Sequence, residues 1–301
     1  MKTRTGISMG SWLSVAVLAV VAAVLALPAQ ALDWAGAPVA EVQLFYPGQF
    51  SWEKSLMAAS HRGAAKMRSG APCAGCHRND ALKLGQRAAQ RDGYRERSVV
   101  TVQVRALLGG ERLHLQISGP LLHGKAPAVS LLLGDATLKA TAQAGCWASC
   151  HDDAPGMASD SGDGLGKYLN ASRSKLTPGG GGTSVRPPAE LAQALARGEF
   201  LELLEVAPTG QGARGYVLAS LQRQPLADGA VMRSEGERWI AELSRPLASA
   251  GEGQIALTAG KVYHFGIALH DAGSSGRQHL VSFAKSLAIG GGKADVVAPD
   301  A

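Results

Sequence analysis

The chain has 301 residues, a formal net charge of +6 and only 5% aromatic residues, while 38 of its residues are glycine. The basic residues are dispersed rather than gathered in a run, which argues against a nucleic-acid partner. The glycines at 179–182 lack the lysine and the strand-to-helix context of a phosphate-binding loop, and no nucleophile motif of a hydrolase is present. The composition favours many short strands and turns over a helical bundle.

The first 31 residues have the layout of a secretory signal peptide. Lys2 and Arg4 precede an apolar run from Trp12 to Leu27, and the small residues around Ala31 form a cleavage signal. The apolar run approaches the length of a membrane helix, so an uncleaved anchor is the alternative. No later run is long enough to span a bilayer. The sequence therefore predicts a periplasmic protein with no membrane span after cleavage.

Two short motifs contain all four cysteines of the chain. The first is Cys73-Ala-Gly-Cys76-His77, and Cys-x-x-Cys-His is the signature of covalent c-type haem attachment. Two thiols bond to the two vinyl groups at one edge of the porphyrin, and the imidazole that follows them reaches the iron. Haem is attached in this way outside the cytoplasm, in agreement with the signal peptide.

The second motif is a longer variant of the first. It runs from Cys146 through Trp-Ala-Ser to Cys150 and His151, with three residues between the cysteines. The sequence thus predicts two covalently bound haem c groups, held by Cys73, Cys76, Cys146 and Cys150, with His77 and His151 as iron ligands. Two alternatives remain open: a Cys146–Cys150 disulfide, and one zinc ion with ligands from both motifs.

The pattern of apolar residues predicts a mainly β protein with a β-sandwich-like haem-binding domain and a helical N-terminal c-haem extension. The expected organisation is a signal peptide (1–31), a c-type haem segment (32–95), a β domain (96–290) and a disordered tail (291–301). Helices are predicted at 51–70 and 188–200, and long loops at 135–145 and 152–183. Strands are predicted at 39–48, 99–106, 112–118, 126–134, 215–222, 238–247, 261–271 and 279–290.

The remaining histidines supply candidates for the far side of each iron. His61 lies on the predicted helix before the first motif, with Met67 as a rival on the same helix. In the strand 261–271, His264 and His270 share a face with Gly266 and Ala268, small residues that would let a flat porphyrin approach. His279 begins an apolar strand and is another candidate.

Other residues have weaker claims to bind iron. His114 falls on the polar face of its strand, which favours a structural role. His123 lies in a loop rich in glycine and proline and stays open. Met157 follows His151 too closely in sequence to reach the opposite side of the same iron with ease.

Three stretches together resemble a known family. Residues 60–77, 144–157 and 265–290 are similar to the haem-binding subunits related to cytochrome c-552 and to the gamma subunits of ethylbenzene and dimethylsulfide dehydrogenases. The resemblance implies a β-sandwich that holds a haem, an added N-terminal c-type haem segment and electron transfer in the periplasm. It implies His61 as the distal ligand of the first haem and His279, with His270 as runner-up, for the second. The gamma subunits bind a non-covalent haem, so their ligand set is not carried over.

The residues and the resemblance favour a dihaem electron-transfer cytochrome, a relay between a membrane quinol-oxidising cytochrome b and a terminal reductase or oxidase complex. The second hypothesis is a haem enzyme, a peroxidase or small-oxyanion reductase, which needs one iron with an open coordination position. His123 or His264 could then serve in a polar pocket. A haem-based sensor and a structural zinc protein are the third reading.

Overall fold

A computed structural model describes residues 32–48, 52–78, 80–93, 97–151, 167–175, 184–249, 251–270 and 279–301. The side chains of Asp92, Cys150 and His151 are outside this description. The expected signal peptide, Met157 and most of the predicted loop 152–183 also lie outside the described residues. Residues Leu32–Ala301 form one compact unit. The expected domain boundary at residue 95 stays a prediction.

The described part of the chain contains six α-helices and fifteen strands. The helices are α1 (Trp52–Met57), α2 (Ala64–Arg68), α3 (Cys73–His77), α4 (Ala81–Asp92), α5 (Lys139–Ala144) and α6 (Pro188–Ala196). The strands are β1 (Ala40–Phe45), β2 (Val99–Gly109), β3 (Arg112–Pro120), β4 (Ala128–Gly134), β5 (Ser149–His151), β6 (Lys167–Leu169), β7 (Leu201–Val206), β8 (Gly212–Val217), β9 (Leu221–Leu226), β10 (Ala230–Glu235), β11 (Arg238–Pro246), β12 (Val262–His270), β13 (His279–Ser282), β14 (Lys285–Ile289) and β15 (Val296–Ala298).

Thirteen of these strands form one sheet, which confirms the mainly β prediction. Eleven follow the order β10-β11-β3-β2-β1-β13-β12-β4-β7-β8-β9, and β14 and β15 extend it beside β12. All pairs are antiparallel except β14 with β15. The end strands β9 and β10 are consecutive in sequence, and Ala230 of β10 approaches Gly212 of β8. The sheet therefore curls until it is nearly closed. A separate pair, β5 with β6, lies outside it.

Alternating apolar residues build the interior of the sheet. Val102 and Val104 of β2 and Leu113 and Ile117 of β3 are fully buried, as the period of two predicts. The odd-numbered residues of β12 face this interior, because Phe265, Ile267 and Leu269 pair with apolar residues of β4 and are also fully buried. The even-numbered residues of β12 therefore face the opposite side of the sheet, where the haem motifs lie.

A buried ion pair joins β7 and β11 to the segment that follows β11. Arg245 and Glu202 are 4% and 3% exposed, and Nη1 of Arg245 donates to Oε2 of Glu202 at 2.8 Å. The same carboxylate oxygen accepts the backbone N–H of Ile255 at 2.8 Å. Arg245 Nη2 donates to the Ile255 carbonyl at 2.7 Å, and its Nε donates to the carbonyl of Pro246 at 2.7 Å. Both charges are thus paired and hydrogen-bonded.

The structure corrects several local predictions. The expected helix 51–70 is two short helices, α1 and α2, and His61 lies in the turn between them rather than on a helix. Gly63, a weak helix former, stands at the start of α2. The expected loop 135–145 contains α5, and the predicted strand 279–290 is divided into β13 and β14. Helix α4 and strands β5, β6, β7 and β10 were not predicted. The predicted strand 215–222 is instead the end of β8, the connection 218–220 and the start of β9.

The C-terminal tail is also ordered, contrary to the expectation for residues 291–301. Strand β15 pairs in parallel with β14, with Leu287 opposite Val296. Beyond it, the backbone N–H of Leu108 donates to the carbonyl of Pro299 at 2.7 Å. The alternating Val296 and Ala298 are buried at 2% and 0%, which explains why this short segment joins the sheet. In the described ranges, no helix combines the length and apolar character needed to cross a bilayer.

Candidate haem centres

The turn between α1 and α2 fixes the His61 imidazole in one tautomer. Its Nδ1 lies 2.7 Å from the backbone carbonyl oxygen of Ser55. A carbonyl only accepts hydrogen bonds, so Nδ1 carries the proton and donates it. The lone pair of the neutral ring is then on Nε2. A backbone carbonyl that orients one ring nitrogen in this way is typical of histidines that bind a metal through the other.

His77, the last residue of α3, presents its ring parallel to that of His61. The two ring centroids are 6.4 Å apart and the planes differ by 19°. Two imidazoles that each bind one metal ion at about 2 Å have centroids roughly 6 Å apart on opposite sides of it. Nδ1 of His77 is buried without a hydrogen-bond partner, since the nearest carboxylate oxygen, of Asp80, is 3.8 Å away. The residues around the first motif therefore fit a haem iron with two histidine ligands.

A cavity of about 350 Å³ lies beside these two rings. Its wall is mainly apolar and it is bounded by Phe45, Tyr46, Pro47, Ser55, His61, Met67, Cys73, His77, Leu84, Arg87, Ala88, Arg91 and Trp147. The exposed arginines Arg87 and Arg91 are one turn apart on α4. Apolar walls suit a porphyrin, and guanidinium groups suit its carboxylates. Met67, the rival ligand, is 6% exposed and lines the same cavity.

The thiols of the first motif differ in their surroundings. Cys73 is 6% exposed and lines the cavity, and burial raises the pKa of its thiol to about 12. Cys76, three residues later on the same short helix, is exposed. Gln143 of α5 holds the segment in place, because its Nε2 donates to the carbonyl oxygens of Met67 and Ala71 at 2.8 and 3.3 Å.

The second motif packs against the sheet at Gly266. Residues Gly145–Ala148 form a 3-10 helix and Ser149–His151 form β5. A Cβ added to Gly266 would lie 2.3 Å from the backbone N of Cys146 and 2.9 Å from its Sγ. The small residues of β12 were expected to admit a flat porphyrin. At Gly266, the close approach is made instead by the backbone of the motif.

Replacing Gly266 should therefore disrupt the packing of the second motif against β12. In Gly266→Ala the new methyl group would overlap the Cys146 backbone, so we expect a loss of about 1–3 kcal/mol in the free energy of unfolding. Urea unfolding of the matured protein measures it. Gly36→Ala is the control, because a Cβ there meets nothing within 4 Å and should change little. Equal stability of the two variants would contradict this packing.

His270 and His279 stand side by side, at the end of β12 and the start of β13. They are opposite each other in the β12–β13 pair, with ring centroids 5.1 Å apart and planes 21° apart. His270 shares the sheet face of Gly266, against which the motif packs. The side chains of Cys150 and His151 are not described, so their distances to these rings stay unassigned. The choice of His279 over His270 as distal ligand remains a prediction.

An aromatic cluster connects the two motifs, although Cys76 and Cys146 are 70 positions apart in the sequence. Trp147, inside the second motif, lines the cavity of the first. Its ring centroid is 5.6 Å from that of Phe45 and 6.2 Å from that of Phe283. Phe283 in turn lies 6.4 Å from the His77 ring. Sequence reasoning missed Trp147 and Phe283; an aromatic residue between the two cysteines of the motif was the available signal.

Lys167 is a further residue that sequence reasoning missed. It pairs with His151 in the β5–β6 ladder. Burial lowers the pKa of its ammonium group, while the neighbouring Cys146 and Glu205 oppose that change. Burial also raises the pKa of the Cys146 thiol to about 11. The second site thus has a partly buried lysine beside its first cysteine.

The alternatives for the cysteines find no support in the described side chains. Cys146 is a free thiol rather than half of a disulfide. Within the described residues, no three His, Cys, Asp or Glu side chains gather as a metal site of the zinc type.

The other histidines lie apart from the two rings of the first site. Nε2 of His114 lies 3.2 Å from the carbonyl oxygen of Gly109, in keeping with the structural role expected for it. His123 is in an exposed turn. His264 lines a different cavity of about 680 Å³, and burial lowers its pKa.

Comparisons with known proteins identify two cytochromes to which the chain is similar. No model of a protein family matches the chain. It is 29% identical over 284 residues to cytochrome c-552 of Stutzerimonas stutzeri, covering 88% of this chain and 89% of that protein. It is 27% identical over 280 residues to cytochrome c-551 of Rhodocyclus tenuis, covering 88% and 98%. The relation to dehydrogenase gamma subunits stays a prediction. Over most of its length, the chain is therefore similar to two c-type cytochromes, which supports the expected resemblance at that level.

Proposed function

We propose that this protein is a periplasmic dihaem c-type cytochrome that relays electrons between a membrane quinol-oxidising cytochrome and a terminal redox partner. Cys73 and Cys76 would hold the first haem and Cys146 and Cys150 the second. His77 and His61 would bind the first iron, and His151 with His279 or His270 the second. Bound haem supplies a reversible one-electron couple, which the protein tunes through ligands, burial and hydrogen bonds.

The arrangement of His61 and His77 carries this proposal. Their parallel rings, 6.4 Å apart, match two ligands of a single iron. The Ser55 carbonyl orients His61 for that role. A site with both axial positions filled by protein has no place for a substrate on the metal. This favours electron transfer over the haem-enzyme alternative at the first centre.

The closeness of the two motifs supports a relay rather than two unrelated sites. Trp147 belongs to the second motif and lines the cavity of the first. The Trp147, Phe45 and Phe283 rings pack together between them. This contact fixes the separation of the two motifs. Electron exchange between two centres needs a short separation, because its rate falls steeply with distance.

The number of haems is tested by removing one attachment site at a time. In periplasmically matured protein, we expect intact mass and a pyridine haemochrome spectrum to give two covalent haems per chain. Cys146→Ala/Cys150→Ala and Cys73→Ala/Cys76→Ala should each retain one. A single haem in the unmodified protein, unchanged by the Cys146/Cys150 substitutions, would contradict the dihaem proposal.

The electron-transfer role has a separate readout. We expect both haems to titrate reversibly and their low-spin spectra to stay unchanged on addition of cyanide, nitrite and peroxide. Binding of any of these at one haem, or turnover of peroxide or nitrite, would favour the enzyme alternative instead.

A further inference from the structure

The positive charge of the chain is concentrated on the segment that carries the first motif. Residues 52–93, which span α1 to α4, contain eight basic and three acidic residues, a net charge of +5 against +6 for the whole chain. The basic residues are Lys54, Arg62, Lys66, Arg68, Arg78, Lys83, Arg87 and Arg91. They form no run in the sequence, which is why they look dispersed there. We call the outer side of these four helices the basic helical surface.

The side chains on this surface are mostly cationic. All eight basic residues are exposed. Of the acidic residues, Glu53 is completely buried, and Asp80 lies 3.8 Å from Lys83. Because a buried carboxylate contributes little to the field outside the protein, the surface is more positive than the net charge alone suggests. Two exposed apolar side chains, Met57 and Leu82, lie on the same segment.

This surface also contains the exposed edge of the first site. Cys76 is exposed, and the His77 side chain is 32% exposed. Arg87 and Arg91 belong both to the surface and to the wall of the cavity beside the two histidines. On the proposed function, the exposed part of the first centre therefore lies on this surface. Charges here therefore act directly on the approach of a redox partner.

We propose that the basic helical surface is the docking site of an acidic redox protein, whose own electron-exchange edge is lined by Asp and Glu. This inference rests on the proposed haem at the first motif. Exposed charges act over about one Debye length, roughly 8 Å at physiological salt, and a cluster of one sign orients the partner before contact. Met57 and Leu82 supply the apolar contacts that an interface needs among its charged groups. An anionic lipid surface is the competing occupant.

Two charge-reversal variants of equal net charge test the site. Lys66→Glu/Lys83→Glu changes the basic helical surface, whereas Lys125→Glu/Lys261→Glu changes exposed lysines of the strand region. None of the four residues lines the cavity of the first site. The donor is a reduced plant-type ferredoxin, used as an acidic protein probe, and stopped-flow absorbance follows haem reduction at low and high salt.

We expect the unmodified protein to be reduced more slowly as salt is raised. At low salt, Lys66→Glu/Lys83→Glu should lower the second-order rate constant about tenfold, and Lys125→Glu/Lys261→Glu should change it less than about twofold. Equal slowing by both variants, or by neither, would overturn the proposal. So would loss of binding to phosphatidylglycerol vesicles in Lys66→Glu/Lys83→Glu with an unchanged ferredoxin rate.

The same samples separate failure of this inference from failure of the proposed function. A haemochrome spectrum and complete reduction by dithionite show that the haems are present and redox-active. If they are absent, the proposed function is wrong. If the haems are present and Lys66→Glu/Lys83→Glu does not change the rate of reduction by ferredoxin, only the proposed docking site is wrong.

Discussion

On the proposed function, we expect His61→Ala to open one coordination position at the iron of the first haem. The His61 ring is the partner of His77 across the first site, at 6.4 Å between centroids. Removing it leaves the first iron with the His77 ligand alone. Absorption spectroscopy should show one of two haems become high-spin, and carbon monoxide should bind to the reduced variant at about one per chain rather than zero.

Two further variants make this result specific. His114→Ala removes an imidazole whose Nε2 lies 3.2 Å from the Gly109 carbonyl oxygen. This variant should leave both haems low-spin. His61→Met should keep the first haem low-spin but raise its reduction potential by on the order of 0.1 V, because a thioether favours the reduced iron. If Met67→Leu, and not His61→Ala, opens the coordination position, then Met67 is the ligand.

The second large effect is expected at the buried ion pair. Arg245→Met should destabilise the fold by about 3–5 kcal/mol, because it leaves the Glu202 carboxylate buried without its cation. The variant also loses the donors that hold the carbonyls of Ile255 and Pro246. Urea unfolding of the matured protein, monitored by tryptophan fluorescence, measures the change.

An exposed pair provides the matched control for this prediction. Arg186 and Glu190 lie 3.0 Å apart on the surface, with both side chains more than 40% exposed. Arg186→Met should cost less than about 1 kcal/mol. Adding Glu202→Leu to Arg245→Met should recover part of the lost stability, since no unpaired charge then remains buried. Equal costs for Arg245→Met and Arg186→Met would show that the buried pair contributes no more than a surface one.

Local patterns predicted much of the fold. The alternation in β2, β3 and β12 identified these strands and their buried faces, because side chains of a strand point to opposite sides of the sheet. The prediction failed where the pattern was short or mixed. Helix α4 buries small residues such as Ala81 and Ala88, which give a weak apolar stripe. Gly63 divided the predicted helix 51–70, and a tail of three alternating residues was sufficient to pair with β14.

The residues proposed for the first site could be predicted from the sequence, but their surroundings could not. The spacing of Cys73, Cys76 and His77 indicated the chemistry, and His61 was the leading candidate opposite them. The contact with Trp147 was not predictable from spacing. It depends on β13, which pairs with both β1 and β12. Strands β1 and β12 are more than 200 residues apart in the sequence. Such long-range pairing has no local signal.

The burial of the cysteines bears on how the protein is made. In the folded chain Cys73 and Cys146 are each only 6% exposed. Burial suppresses their thiolate forms, since it raises their pKa to about 12 and about 11. A thioether bond forms only where the sulfur can be reached, and in the folded chain Trp147 of the second motif forms part of the wall of the cavity that Cys73 lines. On the proposed function, haem attachment therefore precedes folding. A chain that folds before attachment can no longer form its thioether bonds.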